Sequence, residues 1–190
     1  AAWYEKALDA PAPREDLAGL RLSAGDLERK RGRISAARSH YVRAVESAVS
    51  GDTRAKAWGR LAALKREDLD YAESARLLQD AFTTARDPDV IAELRLHEAR
   101  VLELSSNEDG AFRARKAALE SAQEPSLKVS ALRALGAAEE RRANKTSARR
   151  FYMEADTYAR MALELALEPE TQAVALRARG DLMRLNGQEP

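Results

Sequence analysis

The chain of 190 residues contains no cysteine. Disulfides, thiolate nucleophiles and cysteine-ligated metals are thereby excluded, and the compartment stays open between cytoplasm and periplasm. Aromatic residues make up 5%, and none is interleaved with the basic clusters Arg29-Lys30-Arg31 and Arg141-Arg142, as a single-strand nucleic-acid binder requires. Neither sign of charge dominates: 32 basic residues face 31 acidic ones. Bulk attraction to nucleic acid or to a membrane surface is therefore not indicated. No run reaches the roughly 18 apolar residues that a membrane-spanning helix needs. Long β-branched runs are missing, and the 9 glycines and 6 prolines are too few for a loop-rich fold. Glycine-rich phosphate loops and nucleophile elbows are also missing. The two histidines, His40 and His97, stand 57 residues apart, outside any metal or triad spacing. The carboxylate pairs Asp68/Asp70 and Asp87/Asp89 fall at turns, where they read as helix caps. These absences together predict a protein that is not an enzyme and uses neither cofactor nor metal.

What is there is helical. Hydrophobic residues make up 45% and charged residues 33%, enough apolar surface to build a core. Ala, Leu, Arg and Glu predominate, all strong helix formers, so the expected fold class is all-α. Only seven of the basic residues are lysine, and heavy Arg and Ala usage points to a GC-rich bacterial genome.

The alanines then reveal a period. Ala7, Ala44, Ala81, Ala118 and Ala155 are each 37 residues apart, and Ala37, Ser74, Ala111 and Ala148 form a second ladder in phase with them. A third comprises Gly25, Ala62, Ala99 and Gly136. Small residues at fixed phases mark close approaches of backbone. A period between about 20 and 50 residues is the signature of a stacked-repeat solenoid.

Helical periodicity and breakers divide the chain into one array. Residues 1–12 read as the end of a truncated repeat. Full helix pairs are expected over 13–49, 50–86, 87–123 and 124–168, and a terminal helix over 169–190. The opening Ala1-Ala2-Trp3-Tyr4 enters mid-pattern, so an excised fragment of a longer protein is the expectation. Gly180 follows Gly136 by 44 residues, seven more than the period. Seven residues are about two turns, and the spacing predicts that the helix after Ala148 is longer than its counterparts by that amount.

These residues resemble the tetratricopeptide repeat. Leu132, Leu135 and Gly136, followed by Ala148, Tyr152 and Ala155, fit the family's loose pattern best. Trp58, Leu61 and Ala62, then Ser74, Leu78, Ala81 and Pro88, fit it next, and Gly25, Ala37, Tyr41 and Ala44 also follow it. Arg115 stands where an aromatic is usual. The unit of 37 residues exceeds the family's usual unit of about 34, so the superhelical twist is expected to differ.

The resemblance implies an α-solenoid whose first helices line a concave groove that holds a partner protein or peptide. The groove-facing set would include Asp26, Arg29 and Lys30; Lys56, Arg60, Arg66 and Glu67; Glu93, His97, Arg100 and Glu103; and Arg133, Glu140 and Arg141. Eight of these are basic and five acidic, which favours an acidic partner segment, since arginine grips carboxylates bidentately. Leu22, Leu96 and Leu104 would add apolar area. The expected partner-binding residues are Lys56, Arg60, Arg66, Leu96, His97, Arg100, Leu104, Arg133 and Arg141. Lys56 and Arg60 resemble half of the clamp by which some members hold chaperone tails. The other half is missing, because Leu22 and Asp26 occupy its phases. The function implied is a non-catalytic interaction scaffold. The alternative is a regulatory or spacer segment of a larger bacterial protein, such as an envelope-assembly or polysaccharide-export machine, a kinase or a transcription regulator.

Overall fold

A computed structural model describes residues 14–146 and 149–166, together with positions 169, 172 and 176. Among the described residues there are eight helices and no strand. They are α1 (Arg14–Lys30), α2 (Ile34–Ser47), α3 (Gly51–Glu67), α4 (Tyr71–Thr84), α5 (Pro88–Leu104), α6 (Glu108–Ser121), α7 (Pro125–Thr146) and α8 (Arg149–Leu165). The fold is an all-α, solenoid-like array of neighbouring helix pairs. The expected truncated repeat over 1–12 and terminal helix over 169–190, with Ala7, Ala148 and Gly180, lie outside the described residues or almost wholly so.

One turn closes each of the first three pairs, and its chemistry repeats with the period. The backbone is left-handed at Gly32, Leu69 and Ser106, with φ of 75°, 62° and 61°. After each of these residues a backbone N–H reaches back five positions: Arg33 to Glu28, Asp70 to Lys65 and Asn107 to Leu102. This Schellman closure satisfies carbonyls that the helix end would leave open. The next helix is then capped from its own N-terminus. Asp70 accepts the N–H of Glu73, and Asn107 that of Gly110. Between pairs, Ser50 and Asp87 cap α3 and α5. Of the carboxylates expected at turns, Asp70 and Asp87 are therefore caps. Asp68 instead pairs with Arg38 at 2.8 Å.

Asp89 and its counterpart one period earlier, Asp52, join successive pairs. Asp52 Oδ1 accepts the N–H groups of Arg86 and Asp87 at 2.6 and 2.9 Å. Asp89 Oδ1 accepts those of Gln123 and Glu124 at 2.7 and 3.0 Å. Each carboxylate near the start of one pair thus fastens the loop that opens the next.

The small-residue ladders lie where backbones meet. Gly25 faces Tyr41: a Cβ added at Gly25 would stand 2.4 Å from the Tyr41 ring. Arg21 reaches the carbonyl of Arg43, and Asp26 the Tyr41 hydroxyl. Rising numbers on α1 thus meet falling numbers on α2, and the pair is antiparallel. Ser74 Oγ donates to the Ala62 carbonyl at 2.7 Å, tying the second pair together. Ala44, Ala81 and Ala118 are fully buried, as are Ala37 and Ala111.

The fourth pair departs from this register. On the second helices, the fully buried alanine that follows Ala118 among the described side chains is Ala162, a step of 44 residues, and the side chain of Ala155 lies outside those described. The buried alanines after the second helices, Ala48, Ala85, Ala122 and Ala166, show the same step. The extra turns are not confined to the second helix, as the spacing of glycines had suggested. α7 has 22 residues against 17 in α5, and α8 has 17 against 14 in α6. Position 143, one period after Ser106, continues α7 instead of turning. Seven residues return a helix to nearly the same face, so the array absorbs them without losing its buried stripe.

Candidate binding groove

Odd-numbered helices pack on one another as well as within their pairs: α1 on α3, α3 on α5 and α5 on α7. No comparable packing joins the even-numbered helices of successive pairs among the described residues. In a curved stack the elements on the inner radius are the closer ones. The odd-numbered helices are therefore the more closely packed side of the array, called its inner face below.

A continuous polar chain crosses the first three pairs on this face. The Tyr41 hydroxyl donates to Asp26 Oδ1 at 2.7 Å. Arg60 bridges Asp26 at 3.1 Å and Glu93 at 2.5 Å. His97 follows, with Nε2 at 3.9 Å from Glu93. His97 and Arg60 together hold the Glu93 carboxyl down at about 2. Of the two, Arg60 is the firmer hold, because 3.9 Å exceeds hydrogen-bond length. Burial lowers the His97 pKa below its ordinary 6.5, so the ring is neutral near pH 7, and its Nδ1 is buried without a partner. Burial, and then the bond to Asp26, raises the Tyr41 pKa.

Other groove charges pair from one helix to the next. Arg29 binds Glu67. Glu103 receives both Arg115, at 2.5 Å, and Arg141. Arg115 is nearly buried, filling with a guanidinium the space that Tyr41 fills in the first pair. The unusual arginine at an aromatic phase was the sequence signal for this pairing.

The expected partner-binding residues thus fall into two groups. Arg60, His97 and Arg141 are engaged by neighbouring acids. Lys56, Arg100 and Arg133 are exposed and make no hydrogen bond or ion pair among the described residues. Arg66 is half-buried, and its Nη1 is cut off from water with no hydrogen-bond partner. Leu104 is 51% exposed and Leu96 half-buried, so neither is lost inside the helix stack.

The groove opens where α5 faces α7. Two adjoining cavities of about 350 and 370 Å³ share Arg100, Ser130, Ala134 and Ala137. Leu96, His97 and Arg141 line one, and Arg133 the other. Ser130, Ala134 and Ala137 were not anticipated as site residues. They matter by being short, a property that charge patterning does not register. Among the described residues no group of His, Cys, Asp and Glu is placed to hold a metal. No helix among them is long and apolar enough to cross a membrane. No protein-family model matches the chain, and no curated protein is similar to it at a significant level.

Proposed function

We propose that the chain is a tetratricopeptide-type interaction scaffold, without catalysis, that holds a segment of a partner protein along the inner face of its odd-numbered helices. The observation that carries this reading is the inner face itself. It has preformed cavities between α5 and α7, donors in Arg100 and Arg133 that no carboxylate among the described residues occupies, and exposed Leu104 at the same end of α5. Preformed concave surfaces with a few convergent polar groups are the usual form of a binding site. Internal ion pairs fix the rest of the face, so a partner meets a rigid wall and little ordering entropy is lost on binding.

The test is site-specific crosslinking in cells. A photoreactive residue at Leu104 or Arg133 should capture a partner polypeptide, and one at exposed Val42 of α2 should not. Capture from Val42 alone would move the interaction surface to the opposite face.

A further inference from the structure

Equal offsets in a repeating array stand for equal spatial relations, so the three joints between successive pairs can be compared where an even-numbered helix meets the next odd one. At an offset of 30, Arg38 of α2 pairs with Asp68 at the end of α3, at 2.8 Å. At the third joint the same offset sets the Arg142 guanidinium on the Phe112 ring, 4.8 Å from its centroid. The second joint has Ala75 and Ser105 at these phases. Ala75 is exposed and ends at its Cβ, and Ser105 donates its hydroxyl back to the Val101 carbonyl. The side-chain tie made at the other two joints is missing here.

The odd-numbered helix departs from the period at the same joint. Trp58 and Leu61 of α3 are matched by Leu132 and Leu135 of α7, the last two fully buried. α5 has Arg95 and Glu98 at these phases, paired with each other at 2.7 Å. Leu102 in turn replaces the Lys65 and Glu139 of the neighbouring joints. Packing that closes the other joints is thus absent, and a cavity of about 350 Å³ remains between α4 and α5. Leu78, Phe82, Val101 and Leu102 give it apolar walls, beside the short Ala75. It shares no lining residue with the two cavities between α5 and α7.

We propose that this cavity is a second docking site, which takes an aromatic side chain of a partner polypeptide with a basic residue beside it. The third joint is the template for the ring, because Phe112 stands there at the phase of Ala75. The volume suffices, since a cavity of about 150 Å³ already admits benzene. Two observations call for the cation. Lys116 and Arg142 hold the Phe112 ring, at 5.1 and 4.8 Å. Their counterparts at the second joint, Gln79 and Ser105, are neutral, so a ring seated there lacks the positive charge that its face attracts. Among the described residues, Glu73, Asp80 and Glu98 share two guanidiniums, those of Arg76 and Arg95. The surplus carboxylate favours a positively charged partner. The site does not rest on the groove reading, because it uses another face of α5 and a different set of residues.

The test uses the purified chain and a displayed library of random nonapeptides. The selected peptides should include a class with an aromatic residue next to Arg or Lys. In a synthetic copy, replacing the aromatic residue by alanine should weaken binding about 10–100-fold, the range for burying a large apolar side chain. Glu98→Gln should remove the preference for the basic neighbour and keep that for the ring. Ala75→Phe should fill the cavity from within, abolish binding of this class and raise the thermal midpoint by about 1–8 °C. Ala75→Ser keeps the space and should do neither. Amide shifts on the native chain locate the peptide without any variant: Ala75, Gln79 and Leu102 should move, and Val42, at the phase of Gln79 in the first joint, should not. Selection without an aromatic class would overturn the site. So would ring-bearing peptides that shift only the cavities between α5 and α7, or that are lost on Leu104→Asp and kept on Ala75→Phe, and either result leaves the groove reading intact. Self-association of the chain that Ala75→Phe abolishes would make a second copy the occupant and overturn the assignment to a partner.

Discussion

The repeated turn provides a stability test in which one backbone angle is the only variable. Ser106 adopts φ 61°, is exposed and makes no side-chain hydrogen bond among the described residues. A residue with a Cβ in this conformation costs about 1–2 kcal/mol relative to the right-handed helix, and glycine escapes that cost. Glycine also has more freedom in the unfolded chain, which returns about 0.4–1 kcal/mol. Ser106→Gly should therefore stabilise by about 0.5–1 kcal/mol, or a rise in Tm of about 1–4 °C for a chain of this size. The reverse change is available one phase away. Gly32→Ser should destabilise by a similar amount, because no atom lies within 4 Å of an added Cβ there and only the φ of 75° resists it. Leu69→Gly should gain less, since Leu69 is 72% exposed and gives up what remains of its packing. Urea unfolding at constant m measures the three values. Native-state hydrogen exchange at the Asn107 N–H, which closes the turn on Leu102, places the effect. A destabilised Ser106→Gly, or a neutral Gly32→Ser, would refute the argument that left-handed strain governs these turns.

Other positions test the packing and the charge chain. Gly25→Ala puts a methyl group against the buried Tyr41 ring at 2.4 Å, and thermal unfolding should show a loss of about 1–3 kcal/mol. Asp52→Asn should weaken the fastening of the second pair to the third by about 1.5–3 kcal/mol, seen as faster exchange at the Arg86 and Asp87 N–H groups. Backbone donation from Arg86 and then Asp87 lowers the Asp52 pKa below its ordinary 3.8. Its contribution is therefore present above that value and fades as the pH falls through the lower folded one. Glu93, lowered from 4.5 to about 2, should behave alike, its stabilisation fading between those values. His97 acts with the same sign at higher pH. It is kept neutral by burial, so the unfolded chain binds its proton first and stability declines as the pH drops below about 6.5. His97→Gln should flatten the curve of stability against pH between about 5 and 7, and denaturation followed across that range checks it.

The periodic alanines, the Pro and Gly breaks and the Asp and Ser caps made the all-α repeat legible in the sequence. Each acts locally, through helix propensity, cap geometry or the size limit on a close approach. The phase of α5 likewise placed Leu96, Arg100 and Leu104 on one face. The register of the fourth pair was not legible: Ala155 and Ala162 sit two turns apart on one stripe, and either continues the pattern. The burial of Ala162 and Ala166, a property of the whole stack, showed the step of 44 residues there. The resemblance put Arg60 and Arg100 in the expected groove-facing set as equivalent cations, because both are basic residues on the first helices of their pairs. The tertiary structure separated them by reach: Arg60 meets Asp26 and Glu93 across neighbouring helices, and Arg100, without a hydrogen bond or ion pair among the described residues, lines a cavity whose α7 wall includes the short Ser130, Ala134 and Ala137. Helices and their order thus followed from short-range chemistry written along the chain. Which charges are satisfied and which are left facing an open cavity depended on side-chain length across helices more than thirty residues apart, and only packing brings those residues together.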